Sequence, residues 1–232
     1  MWSSKYTWGG ADPPSAGDLV VIGSSQTIYF DAQTPILTGV IILGGSLIFD
    51  DMQDVSLQAE YIIIAANGTL QIGTEQQPFT HNAVITMYGN VRSIELPIFG
   101  SKVVAVRNGT IEMHGKNVGV TWTKLSSTAN IGDTSIMVKD SVSNWPIGGQ
   151  IVIATTGDYL SQGQTETKFI TSINGNKISL DSPLNFMHLS VTRNVGDTTS
   201  VSIMAEVGLL TRNVLFQGIK KSIFIMNSLI TH

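Results

Sequence analysis

The amino-acid sequence predicts an all-β protein, a right-handed parallel β-helix (solenoid) carrying an inserted small β subdomain. Three observations carry that expectation. No segment sustains an apolar 3.6-residue period over a dozen residues, and short runs of β-branched residues bounded by Gly, Asn, Asp or Pro recur instead. Three nine- or ten-residue units can be superposed as strand, glycine turn, Ser or Thr, strand: Ile41 to Phe49, Ile64 to Ile72 and Val104 to Met113. Their turn glycines, Gly45, Gly68 and Gly109, lie at spacings that suggest one coil and then two coils of a repeat slightly over 20 residues, the period of β-solenoids.

The elements follow in order. Leu19 to Ile22 and Thr27 to Phe30 are alternating apolar runs after the Gly17-Asp18 turn. Leu37 to Leu43 and Ser46 to Phe49 flank Gly44-Gly45, and Val55 to Gln58, Tyr61 to Ile64 and Thr69 to Ile72 follow, the last after Asn67-Gly68. Gly73 ends that coil, Ala83 to Tyr88 stops at Gly89, and Lys102 to Val106 and Thr110 to Met113 flank Asn108-Gly109. Gly115 closes the series. Stacking equivalent strands about 4.8 Å apart puts Leu47, Leu70 and Ile111 in one aliphatic column. The glycines are expected at corners needing φ > 0, which a residue with a β-carbon resists. The competing fold is a β-sandwich, because Asn-Gly is also a hairpin signal. The recurring spacing favours the solenoid.

From about Gly115 to Ile203 the coil pattern lapses. Ser135 to Val138, Gln150 to Ala154, Lys168 to Ile173, Lys177 to Leu180 and Ser200 to Met204 alternate with Gly-Asp and Asn-Gly turns, as in a small inserted subdomain. Coil-like strands return at Asn213 to Phe216 and Ser222 to Met226. The expected division is 8–115 for the first coils, 116–204 for the insert and 205–232 for the return. The chain stops at His232 straight after an apolar run, which reads as truncation inside a repeat array. An open coil end of that kind is expected to self-associate.

Composition narrows the function classes. Thirteen basic against 17 acidic residues, net −4, with Lys220-Lys221 the only dibasic pair, argue against a nucleic-acid groove. No apolar run approaches the roughly 20 residues that cross a bilayer. With no cysteine, disulfides and thiolate chemistry are absent. A charged-then-apolar leader is not seen at the start, so a secreted form would have lost its signal.

The order of several motifs resembles one known family. Trp8 and Pro14 precede Gly17-Asp18-Leu19-Val20-Val21-Ile22, a strand ends in Asp31, and Ile41 to Phe49 follows. Gly73-Thr74-Glu75 with Pro78-Phe79, then Ile85-Thr86-Met87-Tyr88-Gly89, then Lys102 to Thr110 leading to His114-Gly115, complete the pattern. Trp145 to Ile153 resembles that family's insert, although Gly149 stands where Asp is usual, and Ala205 to Val214 resembles the re-entry. This is similar to the eight-glycine domain of fibrocystin-like receptors and of cell-surface and secreted hyaluronan-degrading proteins, most of all the fibrocystin-like branch. The resemblance implies an extracellular, cell-surface setting and a recognition or scaffold module that meets a glycan or protein ligand. Its alternative implication is a hyaluronan-depolymerising hydrolase.

Asp18 and Asp31 are the catalytic candidates under that alternative, because they match acidic positions of the hyaluronan-degrading branch. Glycoside cleavage needs two carboxylates roughly 5 to 9.5 Å apart. Their structural reading is a Gly-Asp turn and a strand end. An orienting arginine is missing where Gly9-Gly10 stands. Asp50, Asp51 and Asp54 have the oxygen density calcium requires without a loop signature, so a solvated turn competes with a calcium site. No other cofactor is evident. Glu206 sits between apolar residues and is expected to be buried and paired with Arg212. His81, His114, His188 and His232 show no metal-ligand spacing. Asn67-Gly68-Thr69 and Asn108-Gly109-Thr110 are glycosylation sequons at predicted corners, whose Asn side chains either face solvent or stack inside. Trp2, Trp8, Trp122 and Trp145 could stack on sugars, Trp8 and Trp145 reading more simply as packing residues.

Overall fold

In the computed structural model, which describes residues 1–90, 92–195 and 199–219, the chain is all-β apart from two short 3-10 turns, Lys5–Trp8 and Ser161–Gln164. It divides into two compact units, one of Met1–Lys116 with the chain from Asn213 onward, the other of Asn117–Arg212.

The first unit pairs its strands in parallel. β1 (Leu19–Ile22), β2 (Thr27–Phe30), β3 (Gln33–Leu43), β4 (Ser46–Phe49), β5 (Val55–Ala65) and β6 (Thr69–Ile72) alternate apolar-in and polar-out wherever one face meets the core. β7 (Ala83–Met87), β8 (Val103–Arg107) and β9 (Thr110–Met113) follow. One ladder runs β2-β4-β6-β9, and a second runs β1-β3-β5-β7 and onward. Ile28, Leu47, Leu70 and Ile111 stand opposite one another along the first ladder, so the expected column exists with Ile28 added. Leu47 and Leu70 are buried in a single core with Ile22, Phe30, Ile42 and Ile64.

Two sequence expectations about this unit are corrected. Gly68 and Gly109 sit on neighbouring tiers, because β6 pairs directly with β9, Thr69 opposite Thr110. The interval therefore holds one tier, not two. Its added length lies between β7 and β8, which pair with the first and second halves of the same strand β5. The second correction concerns why glycine is needed. Positive φ falls one residue earlier than expected, at Gly44 (φ 78), Asn67 (φ 64) and Asn108 (φ 55). Gly45, Gly68 and Gly109 are required by close approach: a β-carbon would meet Ile22 Cγ2 at 2.7 Å, the Ile42 carbonyl oxygen at 2.6 Å and Ile64 Cγ2 at 2.7 Å, respectively. Of the remaining turn glycines, Gly17, Gly73 and Gly89 do have positive φ.

The second unit is antiparallel. β10 (Trp122–Lys124), β11 (Ser135–Met137), β12 (Gln150–Ile153), β13 (Glu166–Asn174), β14 (Lys177–Leu180) and β17 (Glu206–Leu209) form a sheet in the order β10-β17-β12-β13-β14-β11. β15 (Ser190–Val195) and β16 (Thr199–Met204) form a separate hairpin. The core here is distinct, with Trp145, Ile151, Ile153, Ile170, Ile178 and Val207 buried together. β17, expected among the returning coils, belongs to this sheet, so the chain re-enters the first unit at Asn213 rather than Ala205. β18 (Val214–Gly218) then pairs in parallel with β7. The strand expected at Ser222 to Met226, the Lys220-Lys221 pair, the Gly196-Asp197 turn and the chain end at His232 lie outside the described residues.

Asn213 fastens the re-entry. Its Nδ2 donates to the carbonyls of Phe79 and His81, each at 2.7 Å, and its Oδ1 accepts the Lys116 N–H at 2.9 Å. Gly115 is needed beside it, since a β-carbon there would lie 2.6 Å from Asn213 Oδ1.

Two substitutions test these accounts by urea unfolding. Gly68→Ala should cost about 1–3 kcal/mol through overpacking against a backbone carbonyl, whereas Asn67→Gly, at the residue with positive φ, should change stability by less than about 1 kcal/mol. Asn213→Ala leaves two carbonyls and an N–H without their partner and should cost about 2–3 kcal/mol. Equal effects of Gly68→Ala and Asn67→Gly would contradict the close-approach account.

Candidate functional site

Of the carboxylates singled out in the first unit, those of Asp18, Asp31, Asp51 and Asp54 each accept hydrogen bonds from named donors. Asp18 is exposed and accepts the Ser15 N–H at 2.7 Å, closing the turn before β1. Asp31 accepts both the N–H and the hydroxyl of Ser3, at 2.8 and 2.6 Å. That fork holds the N-terminal segment whose Trp2 is buried and packs edge-on against Trp8 and Phe30, with centroids 5.2 and 5.1 Å away. Asp18 and Asp31 share no hydrogen-bond partner among the described residues.

Asp51 and Asp54 reach one tier onward. Asp51 accepts from the N–H and hydroxyl of Thr80 and from the N–H and Nδ1 of His81, between 2.7 and 2.9 Å. Burial works against its ionisation, but the N–H groups of His81 and Thr80 prevail and hold the carboxyl below its ordinary range. Asp54 accepts from the side chain and the N–H of Asn82, which likewise lower its pKa. Asp50 contributes its backbone N–H to the Phe30 carbonyl. Among the described residues no group of three or more His, Asp or Glu side chains is placed to hold a metal ion.

Asn67 and Asn108 are both exposed, on neighbouring tiers of one corner. Glu206 differs from expectation: it is exposed, its partner is Lys124 at 3.8 Å, and Arg212 donates instead to the carbonyls of Leu209 and Thr211. It stands at an outward position of β17, with Val207 facing the core.

The second unit holds two groupings that sequence reasoning missed. The first is a buried charge cluster. Glu166 and Lys168 occupy inward positions of β13, and His188 is fully enclosed beside them. Glu166 accepts the N–H groups of Asn185 and Phe186, and lies 3.1 Å from Lys168 Nζ and 3.2 Å from His188 Nε2. Lys168 also donates to the Pro183 carbonyl at 2.6 Å. Burial alone would raise the Glu166 pKa, but the Asn185 and Phe186 N–H groups, His188 and Lys168 bring it down to about 2. No local sequence pattern marks this cluster: Phe169 points outward between inward Lys168 and Ile170.

The second grouping is a groove of about 510 Å³ lined by residues 119–124 with Lys139 and Asp140. Trp122, one of the aromatic candidates, stands in it 57% exposed. Trp145 is buried and donates its indole N–H to the Val120 carbonyl at 2.7 Å, which fixes one wall.

With this geometry in hand, likeness to known proteins decides the family. The G8 domain family matches residues 7–126. The chain belongs to the G8 domain family. Human Fibrocystin-L is 49% identical over 219 residues, which is 94% of this chain and 5% of that protein. Mouse Fibrocystin-L is 47% identical over 220 residues, and dog fibrocystin 33% identical over 217, with the same shares covered. The G8 chain thus spans about 5% of the length of these relatives.

The Glu166 cluster sets an acid dependence. Because the folded pKa is lowered from an ordinary 4.5 to about 2, its contribution is fully present above about pH 4.5 and is lost as pH falls toward 2. The shift corresponds to stability on the order of 3 kcal/mol. Glu166→Gln should lower stability at pH 7 and flatten the acid-dependent loss relative to the unmodified chain, as followed by urea unfolding at several pH values. Parallel acid profiles for the two proteins would refute this assignment.

Proposed function

We propose that this G8 chain is a non-catalytic recognition or scaffold module in the extracellular part of a large fibrocystin-like cell-surface protein. Its first unit is read as a right-handed parallel β-helix, supported by the two parallel ladders that share one core, and the second as a β subdomain inserted between coils. The carrying observation is 49% identity to human Fibrocystin-L across 94% of the chain. Among the described residues no helix is long and apolar enough to cross a membrane. Its partner is a glycan or a protein presented outside the cell.

The commitment of Asp31 to Ser3, and of Asp18 to its own turn, favours recognition over hyaluronan hydrolysis. An acid and a nucleophile or base must be free to address one bond from both sides. Asp31 instead clasps the N-terminal segment whose Trp2 packs on Phe30.

Two measurements test the reading. An epitope tag between the exposed Asn174 and Gly175 of the full-length protein should be stained on intact cells; staining only after permeabilisation would overturn the extracellular assignment. Hyaluronan incubated with the purified chain, with and without calcium, should keep its polymer length. Shortening that is abolished by Asp31→Asn or Asp18→Asn would replace the recognition reading with the hydrolase.

A further inference from the structure

The groove at Trp122 has the chemistry of a sugar subsite. β10 is an end strand of its sheet, with β17 on one side. The Leu209 N–H donates to the Thr121 carbonyl and the Leu125 N–H to the Ala205 carbonyl, each at 2.9 Å, so Thr121, Thr123 and Leu125 are the residues of this edge that bond to β17. By the alternation of an antiparallel ladder, the N–H and C=O of Trp122 point the other way, into the groove. Directly opposite Trp122 on β17 is Gly208, so no cross-strand side chain covers the indole from there. The indole N–H has no acceptor among the described residues, whereas those of Trp8 and Trp145 each reach a carbonyl.

The rim is polar and balanced. Lys124 Nζ lies 6.0 Å from the indole centroid, at the limit of a cation–π contact, and 3.8 Å from Glu206. Asp140 accepts the Thr123 hydroxyl at 2.7 Å, and Lys139 adds a second cation. Two ammonium groups meet two carboxylates, leaving no net field to select a polyanion. The walls are held by the Trp145 bond to Val120, by the Gly119 N–H to Asn117 Oδ1 at 2.8 Å, and by the Lys139 N–H to the Lys124 carbonyl at 2.9 Å. Since the Lys124 carbonyl is thereby taken, only Trp122 offers both backbone groups. That is too short a row for an added peptide strand.

A ligand fitting these features must present a flat face of C–H groups to the negative face of the indole, and a ring of uncharged hydroxyls to the rim. A pyranose does both. We propose that the Trp122 groove binds a neutral pyranose unit of a glycan, its C–H face stacked on the indole and its hydroxyls shared among the Trp122 backbone, Lys139 and Asp140. The volume fits a mono- or disaccharide, within the range of roughly 300 to 1,000 Å³ usual for small-ligand sites. The proposal rests on the recognition reading and names the ligand class for it.

The test titrates the purified chain with cellotetraose, mannotetraose and chitotetraose, following tryptophan fluorescence and calorimetry, with a hyaluronan tetrasaccharide as the anionic comparison. At least one neutral tetrasaccharide should bind. Trp122→Ala should weaken it about tenfold, as expected from losing an aromatic stacking contact, and Trp122→Phe should recover part of the loss. Unchanged circular dichroism and urea midpoints establish that both variants are folded, as expected at so exposed a position. No binding by any neutral sugar, equal binding by Trp122→Ala, or binding confined to the hyaluronan fragment and suppressed by salt each overturns the proposal. Such failure with the tag still displayed on intact cells leaves the recognition reading in place; a tag confined inside the cell overturns that reading separately.

Discussion

The first unit depends on how near one tier of backbone comes to the next at a single corner. Gly45, Gly68 and Gly109 occupy that corner on successive tiers, and each lies against the strand end of the preceding tier, where a β-carbon would come within 2.7 Å of its neighbour. The approach puts Ser46, Thr69 and Thr110 in register, and that register stacks Leu47, Leu70 and Ile111. A one-residue slip would turn each of these columns outward, so the corner and the core specify each other. The residue before each glycine adopts positive φ, joined at the second corner by Ala66. Asn67 and Asn108 can do so because asparagine tolerates positive φ better than most residues with a side chain.

That division of labour explains what was legible in the sequence. Period-two alternation gave nearly every strand of the first unit, because one face of each is buried and the other solvated. The glycines marked the corners, but two adjacent residues share the geometry there, and composition cannot say which one turns and which one is approached. Spacing misled in a related way: 41 residues between equivalent glycines look like two repeats, whereas chain can be added between β7 and β8 without adding a tier, provided both still pair with β5.

The second unit was harder to read for physical reasons. β10 is three residues long, Trp-Thr-Lys, with only Thr123 facing the core, so it carries no apolar alternation. Glu206 lies between Ala205 and Val207, both buried, yet points outward, since neighbours in a strand face opposite ways. Conversely, Glu166 and Lys168 are ionic residues in a strand that exposes Phe169. Their burial follows from partners supplied by the Pro183–His188 stretch, which no local pattern reveals. Buried ions persist only when such partners are complete, and here the carboxylate has two backbone N–H groups, a lysine and a histidine.

The same contrast separates structural from ligand-facing chemistry. Asp31, Asp51, Asp54 and Glu166 look reactive as a list of carboxylates, but each spends its oxygens on named donors elsewhere in the fold. Asn213 is the extreme case, its amide divided among Phe79, His81 and Lys116 to rejoin the chain after the insert. Groups so committed hold shape and have little left for a ligand. The Trp122 edge is the reverse, with an open indole, backbone groups turned away from the sheet and a wall fixed by Trp145. A rigid surface with unspent hydrogen-bonding capacity keeps down the ordering cost that a ligand must overcome. Recognition is therefore better sought at this edge of the insert than at the conspicuous carboxylates of the first unit.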